Sequence, residues 1–432
     1  MKTKLKNLLG FVFFVIMLCL ALFGCMRLVE YKDARIKYHD FFEAETNFDV
    51  IFMGTSHAYN SILPMELWRE YGISSYNWGY SNCTPAESFY ILKDVLKYTK
   101  PKLIVLDMFG LMEYENYDGY GNGKYRPDRI EQQHVQFDAI PLSLNKIEAA
   151  YDIFDDYENN TDFVFNFMMY HNRWNELTKA DLFVEPSPEK GAQMLVGHAG
   201  GVGYNSIGED ETSELDSVCY DYFIDFLDYC DVNQIKVLCI YLPFPADASC
   251  QKSANSIHDV VDDYLRAYYV NMLNLNILDF STDIYADRNH LNFTGACKAT
   301  SWLGEYITEH YYMEDYSQNE SWIADYEEYL QFKIDNLNSH SGLIDKLTLL
   351  YGDDFDVEIN VRRKCSYLTD NYTASKLLQN LGDRLTYNVT SGMVEFGDRK
   401  CDLSITVKRA DTGEVVDSQG YVYYEGKLSA VK

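Results

Sequence analysis

Positive charge is scarce in this chain: 37 Lys and Arg stand against 66 Asp and Glu, a formal net charge of −29 at pH 7 over 432 residues. Nucleic-acid binding needs lysines and arginines laid along phosphates, which this balance excludes. Charge-driven adsorption to anionic lipid is excluded too, so any membrane attachment has to be apolar. The ten cysteines never fall in Cys-x-x-Cys spacing, which argues against a zinc site or a disulfide framework. Free thiols are expected instead, suited to a reducing or anaerobic habitat, with Cys239 acting as a small hydrophobe inside an apolar strand. No internal repeat and no low-complexity tract are present. With 47% hydrophobic and 15% aromatic residues, the chain is long enough for one large and one small domain, each with its own core.

Only the N-terminus carries a long apolar run. Lys2, Lys4 and Lys6 precede uncharged residues from Leu8 to Met26, closed by Arg27. That length just crosses a bilayer, which takes about 20 residues of helix, whereas a cleaved signal peptide has an apolar region of about 7 to 15. A retained single-pass anchor is therefore expected over residues 1–27. Leu22-Phe23-Gly24-Cys25 also resembles a lipoprotein processing site, with a bulky Phe23 that fits it poorly. The lysines place the N-terminus in the cytoplasm and everything after Arg27 outside.

From Phe48 to about Tyr311, strand-like and helix-like segments alternate. Strands are expected at Val50 to Met53, Ser74 to Trp78, Leu103 to Asp107, Ile235 to Tyr241 and Asn276 to Asp279. Helices are expected at Pro64 to Glu70, Pro85 to Lys97, Ser213 to Cys230, Ile257 to Leu273 and Thr294 to His310. Unbroken apolar strands are those buried on both faces. The pattern predicts an α/β three-layer sandwich around a five-stranded, mainly parallel sheet over residues 28–315, with reacting groups beyond the strands' carboxyl ends. A stretch of about 111–203, rich in Tyr, Asp and Asn, reads as an insertion over the active-site edge. In it, Gly197 to Gly203 lacks the Lys-Ser/Thr ending of a phosphate loop and reads as a lid or plain loop. A helical connector (316–340) and a small α/β accessory domain (341–432) complete the chain.

Two distant segments carry chemistry. Asp49 to Met53 runs into Gly54-Thr55-Ser56-His57, and Asp287-Arg288-Asn289-His290-Leu291-Asn292 puts an Asp three residues before a His. A serine nucleophile needs a base to take its proton and a carboxylate to hold that base in the right tautomer. Ser56, His290 and Asp287 could supply all three.

The order of Gly-x-Ser after the first strand, Asn77-Trp78-Gly79-Tyr80-Ser81-Asn82 after the second and Asp-x-x-His before the last helix resembles the SGNH or GDSL-like hydrolase superfamily. Gly54-Thr55-Ser56-His57 is similar to the membrane-anchored relatives in alginate O-acetylation and teichoic-acid D-alanylation systems. The resemblance implies Ser56 as nucleophile, His290 as general base and Asp287 as its orienting partner. It also implies an oxyanion hole from the Ser56 N–H and a second-block donor, which falls on Asn82 in a glycine's place, with Gly79 as fallback. The third-block Asn is absent: the chain reads Met108-Phe109-Gly110-Leu111-Met112, which leaves Asn172 as a candidate substitute donor. Asn172 and Arg173, in Tyr170 to Trp174, are also of types that bind polar groups, or else belong to a helix turn with Arg173 in a salt bridge and Trp174 packed inward.

Plainer roles exist for each residue. Ser56 could cap a helix, Asp287 could be a turn residue, Asn292 suits an N-cap, and His57 suits a structural role or a substrate contact. Asp107 ends a buried strand facing the expected site. The residues favour an extracytoplasmic serine ester hydrolase or O-acyltransferase acting on envelope glycans, with no cofactor and no metal. The resemblance suggests a membrane-bound O-acyltransferase as its partner. The alternative is a catalytically weakened envelope protein that binds glycan or a membrane partner. A third reading, metal-dependent hydrolysis, would use His57, Asp107 and His290.

Overall fold

The computed structural model describes residues 2–42, 47–111, 124–201, 203, 205–215 and 217–431. Residues 112–123 and 202 of the expected insertion, and Asp216 of the expected helix from Ser213, lie outside the described residues.

Five strands build the central sheet: β1 (Val50–Met53), β2 (Ser75–Asn77), β3 (Leu103–Asp107), β4 (Lys236–Tyr241) and β5 (Ala267–Asn271). They run parallel in the order β2-β1-β3-β4-β5. The chain therefore steps from β1 to β2 on one side and returns to β3 on the other, which makes the β1/β3 boundary the topological switch point where open α/β sheets place their sites. Alternate side chains of β1 enter different cores. Ile51 and Met53 pack with Ile91 and Val95, while Val50 and Phe52 pack with Ala296 and Leu303. Helices on both faces cover these clusters, giving the three layers expected.

The fifth strand is a correction. Sequence reading runs a helix from Ile257 to Leu273 and puts the strand at Asn276 to Asp279. The helix is Ala248–Val261, and Ala267–Asn271 is the strand. As the sheet edge, β5 has only Ala267 fully buried, so it lacks the unbroken apolar run that marks the other strands. Asn276 instead takes a left-handed turn at φ 51°.

Three helices matter for the site. α1 (Lys2–Val29) exposes its apolar side chains from Leu5 to Phe23 and buries Met26 and Val29. It is long and apolar enough to span a membrane, dimensions a signal sequence shares. α2 (Lys32–Phe42) follows at once, and α3 (Ser56–Ser61) begins directly after β1. Helix Pro85–Tyr98 starts with Thr84 and Glu87 in a reciprocal capping box and Pro85 in its first turn.

In the C-terminal part, β6 (Phe355–Arg362), β7 (Leu385–Thr390), β8 (Val394–Phe396), β9 (Arg399–Cys401), β10 (Leu403–Arg409), β11 (Val415–Tyr424) and β12 (Lys427–Ala430) form a five-stranded sheet, ordered β12-β11-β10-β6-β7, and a β8-β9 hairpin. Val357, Ile359 and Ile405 share one buried cluster with Val50 and Phe52 of β1. Lys333, on helix Glu320–Ser339, bridges Glu66 and Asp354 there. None of the ten cysteines forms a disulfide, and the eight beyond α1 are buried.

Candidate active site

The turn after β1 is set by Gly54, whose φ of 127° disfavours other residues and whose missing Cβ would stand 2.6 Å from Asp107 Cβ. Thr55 then caps α3, its Oγ1 accepting the His57 N–H at 3.2 Å. Asp107, at the carboxyl end of β3, holds this turn from across the switch point. Its Oδ2 accepts the Thr55 hydroxyl at 2.6 Å and the Thr55 N–H at 3.1 Å, and its Oδ1 accepts the Phe109 N–H at 3.2 Å. Burial pushes the Asp107 carboxyl up to about 6, against the lowering effect of those bonds. Ser56 is thereby fixed as the first residue of α3, beyond the end of β1.

The second half of the site is a tight loop. A bridge pairs Ile284 with Leu291, the Tyr285 N–H donates to His290 O at 2.8 Å, and Arg288 takes a left-handed φ of 66°. Asp287 Oδ1 accepts the N–H groups of Asn289 and His290 at 2.9 and 3.1 Å. Its Oδ2 lies 2.6 Å from His290 Nδ1, and His290 Nε2 lies 2.8 Å from Ser56 Oγ. Burial alone would raise the Asp287 carboxyl, but the His290 ring and the two N–H groups outweigh it and hold it below its usual range. With Nδ1–H donated to that carboxylate, Nε2 is left to accept the serine proton. Asn292 caps helix Phe293–His310 through the Gly295 N–H.

Segment 190–199 stitches the two halves together. Asn77 N–H donates to Lys190 O, Gln193 N–H to Tyr59 O of α3, Phe293 N–H to Leu195 O, and Ala199 N–H to Ile284 O beside the Asp287 loop. In its described residues, Gly197 to Gly203 is loop.

Asn82 and Gly79 lie in the turn after β2. Asn82 has φ 56°, the left-handed conformation that a glycine would supply. Its side chain is anchored by Arg126 Nη1 at 2.7 Å and by Gln132 at 3.0 Å. Among the described residues, no backbone carbonyl outside the helices and strands accepts the N–H of Ser56 or Asn82. Gly79 is different: its N–H is spent on Asn77 Oδ1 at 2.9 Å, so the fallback donor is committed elsewhere. Asn77 also donates to Ala58 O and Ile62 O, and Lys37 of α2 donates to Asn77 O and Gly79 O, both at 2.8 Å. Neither Lys37 nor Thr55 stands out in the sequence, because each acts on main-chain groups far from its own position.

His57 does not reach solvent. It is 1% exposed, packed against Phe109 and Phe244 at ring distances of 4.1 and 4.5 Å, with Asn289 Nδ2 3.4 Å from its Nε2. Burial, then the neighbouring His290, holds it well below the usual histidine range, so it is neutral. It supports the His290 ring, 5.1 Å away, and is not placed to touch a substrate. Phe109, just after β3, meets the His57 ring at a tilt of 38°. Asp107 is turned to Thr55, and among the described residues no three His, Cys, Asp or Glu side chains group as metal ligands.

Asn172 and Arg173 belong elsewhere. Arg173 donates to Val29 O and Glu30 O at the end of α1, pairs with Asp181 at 3.4 Å and lies over the Tyr31 ring. Asn172 is exposed on the same turn, and Trp174 points outward rather than inward. The carbonyls left open at a helix end attracted the arginine, a role that sequence spacing does not reveal.

No family model matches the chain, and no curated protein matches it. Solved structures similar to it include a protein from Bacteroides fragilis assigned as an acylhydrolase, at 11% identity and TM-score 0.32, covering 64% of this chain and 97% of that one. Another is a Clostridium thermocellum family 3 carbohydrate esterase, at 12% identity and TM-score 0.30, covering 61% and 96%. A third is a protein from Streptococcus pneumonia assigned as a platelet activating factor, at 10% identity and TM-score 0.31, covering 68% and 99%. Likenesses this slight decide nothing about chemistry.

Proposed function

We propose that this chain is an extracytoplasmic serine ester enzyme that hydrolyses or transfers acyl groups on cell-envelope glycans through an acyl-Ser56 intermediate. The hydrogen-bonded series Asp287, His290, Ser56 carries the reading. His290 Nε2 takes the hydroxyl proton as Ser56 Oγ attacks the ester carbonyl, and Asp287 stabilises the imidazolium. The oxyanion receives the N–H groups of Ser56 and Asn82. Collapse expels the alcohol, which takes the proton from His290 and leaves the acyl group on Ser56. Water then completes hydrolysis, or a glycan hydroxyl completes transfer, with His290 again as base. No cofactor enters this scheme.

α1 would hold the enzyme beside a membrane-bound substrate or donor, and a membrane-bound O-acyltransferase is the partner that fits transfer. A weakened, glycan-binding protein is favoured by one observation: no Asn follows β3 in Met108-Phe109-Gly110-Leu111-Met112, and the loss of one oxyanion donor is worth about 2.7 to 4 kcal/mol of transition-state stabilisation. Turnover of an activated acetyl ester by the full chain in detergent separates the two. Turnover that vanishes in Ser56→Ala supports the enzyme; no turnover by folded wild type supports the binding protein.

A further inference from the structure

The segment from Phe165 to Glu185 is bolted to the end of α1 rather than to the sheet. Asn166 donates to Glu30 at 2.9 Å, Arg173 to the carbonyls of Val29 and Glu30, and Arg35 to Asp181 O. Tyr170 meets Tyr31 edge-on at 5.0 Å. Around these clamps the segment exposes Met168, Trp174, Leu182 and Phe183, each 46% to 73% accessible. A further cleft, of about 550 Å³, lies between α2 and helix Lys179–Leu182, lined by Ile36, Phe183 and Val184 together with Lys32, Lys179 and Glu185.

The level of this apolar collar follows from helix geometry. At about 1.5 Å per residue, the exposed apolar side chains from Leu5 to Phe23 cover about 27 Å, close to the roughly 30 Å hydrocarbon core of a bilayer. Val29 then lies about 9 Å past Phe23, against a headgroup layer about 5 to 8 Å deep on each side. The clamps tie the segment to Val29, Glu30 and Arg35, at the outer edge of that layer. Tryptophan and phenylalanine beside lysine suit this layer, where aromatic rings settle and long cationic side chains reach back to water.

We propose that Met168, Trp174, Leu182 and Phe183 sit in the headgroup layer of the same bilayer that α1 crosses, fixing the height and tilt of the domain above it. The proposal rests on the reading of α1 as a membrane span. It accounts for large apolar side chains left exposed on a strongly acidic protein, and needs no anionic lipid.

The test reconstitutes the full chain in phosphatidylcholine vesicles and isolates Trp174 emission as the difference between wild type and Trp174→Phe. Trp68, Trp78 and Trp322 are buried and common to both. Lipids brominated near the headgroup should quench that difference emission, and more strongly than lipids brominated at the chain end. The pair Leu182→Gln and Phe183→Gln should weaken the quenching. Retention in the vesicles through an alkaline wash with unquenched Trp174 overturns the collar while sparing the span, and points to water or a protein partner on that face. Loss of the chain from the vesicles in the wash overturns the span and the collar with it.

Discussion

Thr55 and Asp107 are joined twice, the Thr55 hydroxyl at 2.6 Å and its N–H at 3.1 Å on the same Asp107 Oδ2. The bond ties the ends of β1 and β3 across the switch point and so fixes where Ser56 begins α3. Asp107→Ala would leave two buried donors of Thr55 and the half-buried Phe109 N–H unpaired, each costing about 1 to 3 kcal/mol. Thermal unfolding should show a loss of about 3 kcal/mol or more, and ester turnover should fall by about tenfold, the equivalent of 1.4 kcal/mol at the transition state. Asp107→Asn, which keeps an acceptor oxygen, should recover much of both.

Asp287→Asn probes orientation separately from stability. Its amide oxygen can still accept the N–H groups of Asn289 and His290, so the melting temperature should hold. The ring would lose the acceptor that fixes its tautomer, and kcat should drop by about 10³ to 10⁴. An unchanged kcat would remove Asp287 from the site.

Asn82 tests whether the backbone alone matters. Asn82→Gly keeps the left-handed turn and gives up the bonds to Arg126 and Gln132, so turnover should stay within about threefold, a shift of under 1 kcal/mol. Asn82→Val forces a β-branched residue into φ 56°, a strain of about 1 to 3 kcal/mol, and should cost tenfold or more. Equal losses in both variants would assign the role to the side chain.

A pH effect on stability follows from Glu87. Burial pushes this carboxyl up to about 7, although Thr84 and Gln133 donate to it. The folded state therefore holds the proton more tightly than the unfolded chain. That stabilisation is complete below about pH 4 and is lost as pH rises through 7. Asp40 and Glu189, pushed up to about 7 by burial, act in the same direction. Between pH 4 and 8, denaturant unfolding should show Glu87→Gln gaining about 3 kcal/mol relative to wild type.

Much of this architecture is legible in the chain because local signals and tertiary structure agree. β1, β3 and β4 are unbroken apolar runs, Thr84-Pro85 opens a helix, and an Asp three residues before a His lets one loop hold both. What escapes is whatever depends on distant main-chain groups. β5, an edge strand with one buried face, carries no continuous run, and its Tyr-Tyr-Val spacing merges with the preceding helix. Arg173 looks like a ligand-binding residue until the open carbonyls at the end of α1 claim it. Gly79 looks like a donor until Asn77 takes its N–H. His57, next to the nucleophile, invites a role in chemistry, but the aromatic rings of Phe109 and Phe244 enclose it.

Whether Ser56 carries the acyl group can be read directly. The full chain would be mixed with an activated acetyl ester, quenched in acid during the first turnovers and digested for mass spectrometry. An acetyl group is expected on the peptide containing Ser56, reduced in His290→Ala and absent in Ser56→Ala. Ester turnover that persists in Ser56→Ala, or an acetyl group carried only on another residue, would contradict an acyl-Ser56 intermediate.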